Sequence, residues 1–387
     1  MTILIIGGTG VLSSAVVTEA LKQGFKVTMI NRGRRKKLIP NGVEVIVADK
    51  SDKKKIQSAL KGRTFDAVMD YLCYSEKDTT ESFNFYLQYT KQYFFISSCA
   101  VYNTSLGGTF REDSPKVLPI WDYSFNKWAS EKHLMMLAAD KDVKYTIIRP
   151  CVTYGDTRIP YGIAPQYGCH WTLIARIKNG KPLVRWNGGN NRCNMMRVED
   201  FAVGVVGLIG NPLAYNEDFN ICGDETPSFN EVLECLSELV GISPKLVDVE
   251  SAFYAKELPE KAGEILGGRS IDAINSNEKI KRVVPAFRHT ISLKEGMRMT
   301  YDAYARSDCQ HGIDWKYEGE TDGVIQNWCN RHHIDISGMN LHFIDYLDNA
   351  DWKNKAIYYL SKYHKCYAIR FLLLVGKVGR KVIRKIV

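Results

Sequence analysis

Tyr123 and Lys127 stand four residues apart, a spacing that puts both on one face of a helix. A phenol, with a pKa of about 10, is a poor acid or base near neutrality, but a neighbouring ammonium favours its phenolate and brings it into working range. Tyr123 would exchange a proton with a substrate hydroxyl or carbonyl, Lys127 would tune it, and Ser98 would fix and polarise the same oxygen. The spacing recurs at Tyr358 and Lys362, where no chemistry is assigned. Only the first pair follows a glycine-rich turn and a strand that opens into hydroxyls, Tyr93-Phe94-Phe95-Ile96 running into Ser97-Ser98-Cys99. Open α/β sheets gather their ligands at such strand ends.

The elements that must position these groups begin at the N-terminus. Ile3-Leu4-Ile5-Ile6 is a short apolar run, followed at once by Gly7-Gly8-Thr9-Gly10 and then by helical periodicity through Val16, Val17, Ala20 and Leu21. A strand, a tight glycine turn and a helix start together suit a dinucleotide pyrophosphate, which needs close backbone approach and the free amides of a helix N-terminus. Ser13 stands where a third glycine would sit. A second strand, Lys26 to Ile30, ends at Asn31-Arg32-Gly33-Arg34-Arg35, with no acid to grip the free ribose hydroxyls of NAD. Arg32, helped by Arg34 or Arg35, could instead pair with the 2′-phosphate of NADP, so the cofactor expectation is NAD(P), leaning to NADP. Further strands over Val43–Val47 and Ala67–Asp70 alternate with helices at the spacing of a doubly wound parallel sheet.

The succession Gly7–Gly10, Asp49, Ser97–Tyr102, Tyr123–Lys127, Arg149-Pro150 with Tyr154-Gly155, and Val198–Ala202 resembles the extended short-chain dehydrogenase/reductase family, also called the NAD-dependent epimerase/dehydratase family. The resemblance covers roughly residues 1–330 and implies a Rossmann-like α/β fold. A dinucleotide-binding domain at 1–150 would precede a smaller, interleaved substrate domain at 151–333, with a strand near 218–222 returning to the main sheet. It implies cofactor contacts from Gly7, Thr9, Gly10, Val11, Leu12, Asn31, Arg32, Asp49, Lys50, Tyr71, Lys127 and Pro150, and catalysis by Ser98, Tyr123 and Lys127. It implies an epimerase or 4-keto-reductase of a nucleotide-linked sugar. A dehydratase is disfavoured, because Cys99 and Ala100 occupy the place of that group's acidic pair. For the substrate, His170 and Arg192 lead a wider set that includes Tyr161, Gln166, Trp171, Arg176, Trp186 and Arg197. Asn31-Arg32-Gly33 and Trp315-Lys316-Tyr317-Glu318 also resemble the branch containing chloroplast stem-loop RNA-binding proteins. An RNA-binding protein and an NADP-holding regulator without turnover therefore stay open as alternatives.

Charge limits the partners. Of 52 Lys/Arg and 43 Asp/Glu, ten bases and one acid fall in residues 350–387, which leaves 42 of each sign over 1–349 and puts the net +9 in the C-terminal segment. Nucleic-acid contact across the main body is disfavoured. Residues 334–387 read as a basic helical extension. Phe371, Val375, Val378, Val382 and Ile386 lie along one side of its last part, opposite Arg370, Lys377, Lys381, Arg384 and Lys385. That pattern suits either peripheral contact with an anionic membrane or packing on the protein's own body or a second copy. No targeting segment or membrane-spanning run is read, so the expected location is cytoplasmic, with contact at the inner membrane face open; a homodimer is expected from the resemblance. The ten cysteines are read as reduced thiols, and Cys309, His311, Cys329, His332 and His333 fit no zinc spacing, so no metal is expected.

Overall fold

The computed structural model describes residues 1–116, 120–165, 169–306, 312–346 and 350–366. The chain divides into two compact units: Met1–Gly155, Asn191–Ser228 and Gly263–Gly296 form the first, and Asp156–Asn190, Phe229–Ala262 and Met297–Val387 the second.

The first unit is built on seven parallel strands: β1 (Thr2–Ile6), β2 (Lys26–Asn31), β3 (Val43–Val47), β4 (Ala67–Asp70), β5 (Gln92–Ile96), β6 (Lys144–Pro150) and β7 (Glu217–Ile221). Their order across the sheet is β7-β6-β5-β4-β1-β2-β3. Chain progression reverses at β1, whose neighbours are β2 and β4, and the glycine turn leaves the sheet at that crevice. β1 lacks polar–apolar alternation because both its faces are covered. Ile3 and Ile5 join one core cluster, with α1 (Val11–Lys22) and Phe201, Ala202 and Val205 of Val198–Gly207, while Leu4 and Ile6 join the other, with Phe83 and Leu134. Helix α1 stops at Gly24, whose φ of +77° permits a left-handed exit; the amides of Gly24 and Phe25 then bond back to Leu21 and Ala20. β7 pairs with β6 in the register Phe219↔Ile148, so the chain returns to the sheet edge after leaving it at Gly155.

In the second unit, α4 (Trp315–His332) starts at Asp314, whose carboxylate accepts the Tyr317 amide at 3.0 Å. Beneath it, Arg176 and Lys181 meet Glu318 and Asp322, and all four are fully buried. Two cations against two carboxylates leave that interior neutral, the condition for tolerating buried charge. The expected extension is part of this unit. Helix α5 (Trp352–Lys362) packs on α4 at Gly319 and Gly323, where an added Cβ would fall 2.2 Å from the Tyr358 carbonyl and 2.6 Å from that of Lys362. Tyr358 also donates to Asp322 at 2.6 Å. The second Tyr/Lys pair is therefore structural, with Tyr358 fully buried and Lys362 7% exposed. The amphipathic stretch from Ala368 onward lies outside the described residues. Among the described residues, no helix is long and apolar enough to cross a membrane.

Candidate active site

The turn after β1 takes the form its glycines allow. Gly7 and Gly8 have φ of +107° and +82°, and a Cβ on Gly8 would sit 2.5 Å from Met29 Cε. Any side chain there is excluded by strain and by volume. Ser13, in place of a third glycine, uses its Oγ to accept the Gly10 amide at 3.0 Å and so fastens the turn to the first turn of α1. No side chain caps the N-terminus of α1, so the amides at Val11 and Leu12 keep the character of an anion site. A glycine cradle at the sheet's switch point and an uncapped twelve-residue helix fit a dinucleotide pyrophosphate.

Around this turn the other expected cofactor residues are placed in part by their neighbours. Asn31 Oδ1 accepts the Gly33 amide at 2.7 Å, Arg32 is exposed, and Arg35 rather than Arg32 reaches the turn itself, donating to the Thr9 carbonyl at 3.4 Å. Asp49 is exposed and accepts both the amide and the hydroxyl of Ser51, which hold its carboxyl below the usual range. Lys50 donates to the Leu72 carbonyl at 2.6 Å. Burial lowers its pKa, but Asp70 and Asp78 outweigh that and leave it raised. Tyr71 packs against the core with its hydroxyl buried and without a partner among the described residues, and burial pushes its pKa up. Pro150 is buried in β6 opposite Ile221.

Helix α3 (Asp122–Ala138) carries the expected Tyr123 and Lys127, and it buries several polar residues. Tyr123, Lys127 and Glu131 follow at intervals of four, continued by Leu134 and Ala138 in the core. Lys127 is 4% exposed; its ammonium donates to the Ile96 carbonyl at 2.7 Å and the Cys73 carbonyl at 2.8 Å, and lies 5.9 Å from the Tyr123 ring centroid. Burial brings its pKa down to about 8. The ammonium thus ties the ends of β4 and β5 to the helix bearing Tyr123. Two residues past Ile96, Ser98 is half-buried, and its Oγ accepts the Ala100 amide at 3.2 Å, shaping the turn that presents the hydroxyl.

Glu131 was not anticipated as a site residue, although its place four residues after Lys127 marks it. Fully buried, it accepts Ser97 Oγ at 2.5 Å and two bonds from Arg149, at 2.9 and 2.6 Å. Arg149 also meets Asp218 and Tyr102. Desolvation alone would lower the Arg149 pKa, but Glu131 overrides it and the guanidinium stays charged. Trp121 was also missed: its ring lies 5.0 Å from that of Tyr123, and it rests on a segment where a Cβ on Gly263 would be 2.9 Å from its Cα and one on Gly267 3.2 Å from its Cβ. A π-helical turn, Ile265–Arg269, makes that approach.

Several expected substrate residues are structural instead. His170 is 6% exposed, its Nδ1 accepts the Ile159 amide at 3.0 Å, and burial lowers its pKa to about 4, so it is a neutral core residue that braces its own loop. Arg192 is exposed but donates to the Thr226 carbonyl at 2.9 Å, while its amide bonds Asp272. Arg176 belongs to the buried charge cluster, Arg197 is paired with Glu199, Tyr161 donates to the Val184 carbonyl, and Trp171 and Trp186 are buried. Gln166, Cys309 and His311 lie outside the described residues, and among those described no group of three or more His, Cys, Asp or Glu could hold a metal ion.

With this geometry in place, comparison with known proteins shows what the chain resembles. Residues 83–222 match the NAD dependent epimerase/dehydratase family, and residues 1–71 match the NmrA-like family. Over residues 83–222 the chain is similar to the NAD-dependent epimerase/dehydratase family. That likeness, and the NAD held by structural neighbours, support a nicotinamide-dependent enzyme of the short-chain dehydrogenase type, in line with the glycine turn and the Tyr/Lys pair. The chain is 26% identical over 317 residues to the chloroplast stem-loop binding protein of 41 kDa b of Arabidopsis thaliana, covering 78% of each. It is 27% identical over 149 residues to the UDP-glucose 4-epimerase of Vibrio cholerae, covering 38% of this chain and 43% of that one. The fold is shared with the UDP-glucose 4-epimerase of Thermus thermophilus in complex with NAD, at TM-score 0.62 and 19% identity, over 79% of this chain and all of the other.

Proposed function

We propose that the protein is an NAD(P)-dependent epimerase or 4-keto-reductase acting on a nucleotide-linked sugar. The observation that carries this reading is the Tyr123–Lys127 pair, fixed at the carboxyl ends of β4 and β5 by the two carbonyl bonds of Lys127, beside the uncapped glycine turn. A bound nicotinamide ring would supply the hydride acceptor and donor. The chain's own residues do the rest: the Tyr123 phenolic oxygen takes or returns the proton of the sugar hydroxyl, the Lys127 ammonium favours its phenolate, and the Ser98 hydroxyl polarises the reacting oxygen. Next to Ser98, where a dehydratase would carry an acid, stands Cys99, which is buried, donates to the Arg149 carbonyl at 3.2 Å, and has its thiol pKa pushed well up by burial. The likeness to UDP-glucose 4-epimerases supports a nucleoside-diphosphate sugar as substrate.

NADP is the preferred cofactor in this reading, because Asn31 and exposed Arg32 stand where an acid would grip free ribose hydroxyls and Arg35 lies against the turn. A homodimer through α3 is supported by Phe125 and Met136, which share one helix face and are 43% and 73% exposed. The test is incubation with UDP-, dTDP- and GDP-hexoses and either nicotinamide, with product read by NMR at C4. Conversion by the wild type and none by Tyr123→Phe supports the reading; no conversion of any sugar counts against it.

A second reading, RNA binding on the same fold, is favoured by the stem-loop binding relative, which matches far more of the chain than the Vibrio epimerase does. It requires affinity for stem-loop RNA that falls steeply with salt and survives in Tyr123→Phe.

A further inference from the structure

Helix α5 buries one side and leaves the other in an unusual state. Tyr358 and Lys362 face α4, while Trp352, Tyr359 and Tyr363, seven and four residues apart, form a stripe on another side. These three are 75%, 38% and 44% exposed. Tyr359 and Tyr363 stack almost parallel, ring centroids 6.3 Å apart, so the stripe is ordered side by side rather than scattered. Exposed Lys353 and Lys355 lie on the same helix, and ten Lys/Arg against a single acid fill residues 350–387, while the rest of the chain is electrically balanced.

Exposed large aromatics are costly in water and need a covering. Tryptophan and tyrosine combined with lysine is the composition that settles at a bilayer interface, the rings at headgroup level and the ammonium groups on anionic phosphates. Charge therefore selects among possible coverings. A second copy would bring ten like charges against ten, whereas an anionic lipid surface complements them.

The geometry points to a peripheral membrane-docking face made by the Trp352/Tyr359/Tyr363 stripe of α5 together with exposed Lys353 and Lys355, seated on an anionic lipid bilayer. The anchoring of α5 to α4 through Gly319, Gly323 and the Tyr358–Asp322 bond makes this a rigid platform rather than a tethered tail. The basic segment of residues 350–387, and within it the amphipathic stretch from Ala368, was anticipated as the contact; the aromatic stripe of α5 was not. The inference is independent of the proposed reaction.

The test is sedimentation of the full-length protein with vesicles of phosphatidylcholine alone or with one third phosphatidylglycerol. Wild type should pellet with the anionic vesicles, and the bound fraction should fall as salt is raised. Trp352→Ala/Tyr359→Ser/Tyr363→Ser, all at exposed positions, should lower vesicle affinity about ten-fold or more with an unchanged thermal melt. Brominated lipid should quench wild-type tryptophan emission more than that of Trp352→Phe. Equal pelleting by the triple variant, or none by the wild type, overturns the proposal. So does a wild-type dimer in sedimentation velocity that the triple variant dissociates while vesicle binding stays unchanged, because the stripe would then belong to a second copy.

Discussion

At the scale of single residues, the account rests on proton traffic at Tyr123 and on the charge beside it. Tyr123→Phe should cut turnover by about 10²-fold or more while leaving nicotinamide affinity unchanged, measured as kcat against the dissociation constant from fluorescence titration. Lys127 adds a pH dependence. Its folded pKa is about 8, against 10.5 for a free lysine, so kcat/KM should fall as pH rises through about 8, when the charge that favours the phenolate is lost. The effect on stability has the opposite sign. Between about 8 and 10.5 the unfolded chain still holds a proton that the folded chain has released, so this group's contribution improves with rising pH across that window and is fully unfavourable below it. A pH profile without the falling limb in the wild type would contradict this assignment. Spacing made the shared helix face of Tyr123 and Lys127, and the place of Ser98 just after β5, legible in the sequence, because residues four apart on a helix lie one above the other. His170 and Arg176 were misread for a physical reason: a polar residue in a pocket-forming region and one satisfied in the interior look alike until their partners are known.

Among the elements of the first unit, α3 buries charge that its composition would leave in solvent, at Lys127 and Glu131. Removing its charge in Glu131→Gln leaves Arg149 fully buried with Asp218 as its remaining anionic contact, and should cost roughly 3–5 kcal/mol in denaturant unfolding. Turnover per folded molecule should fall as well, since Ser97, next to Ser98, then bonds a neutral amide oxygen in place of a carboxylate. A loss under about 1 kcal/mol would show that the pair is dispensable. Gly263→Ala tests the seat of Trp121, because its Cβ would press on Trp121 Cα, two residues before Tyr123. A stability cost of about 1–3 kcal/mol accompanied by a larger proportional loss of kcat is expected; unchanged kcat would separate Trp121 from catalysis. The strands of the sheet were readable because each is a short apolar run between turn residues. The Trp121 seat was not, since Gly263 and Gly267, far away in sequence, carry no mark of what they receive.

For the whole molecule, the C-terminal segment is two things rather than one. Deleting residues 350–387 removes α5, exposes Gly319 and Gly323, and takes the Tyr358 bond from Asp322, so the melting temperature should drop by several degrees. Deleting 367–387 alone keeps α5 in place, and equal melts for both deletions would contradict the integral role of α5. Charge counting located the basic segment correctly but could not show that its first helix is fastened to the second unit through two glycines. The central claim is that the glycine turn and α3 serve a nicotinamide dinucleotide, and it is tested most directly by equilibrium titration of the purified protein with NADPH and NADH, followed by nicotinamide fluorescence. The account predicts saturable binding of NADPH, tighter than NADH, that Gly8→Val abolishes and Tyr123→Phe preserves; saturable binding of neither nucleotide would contradict it.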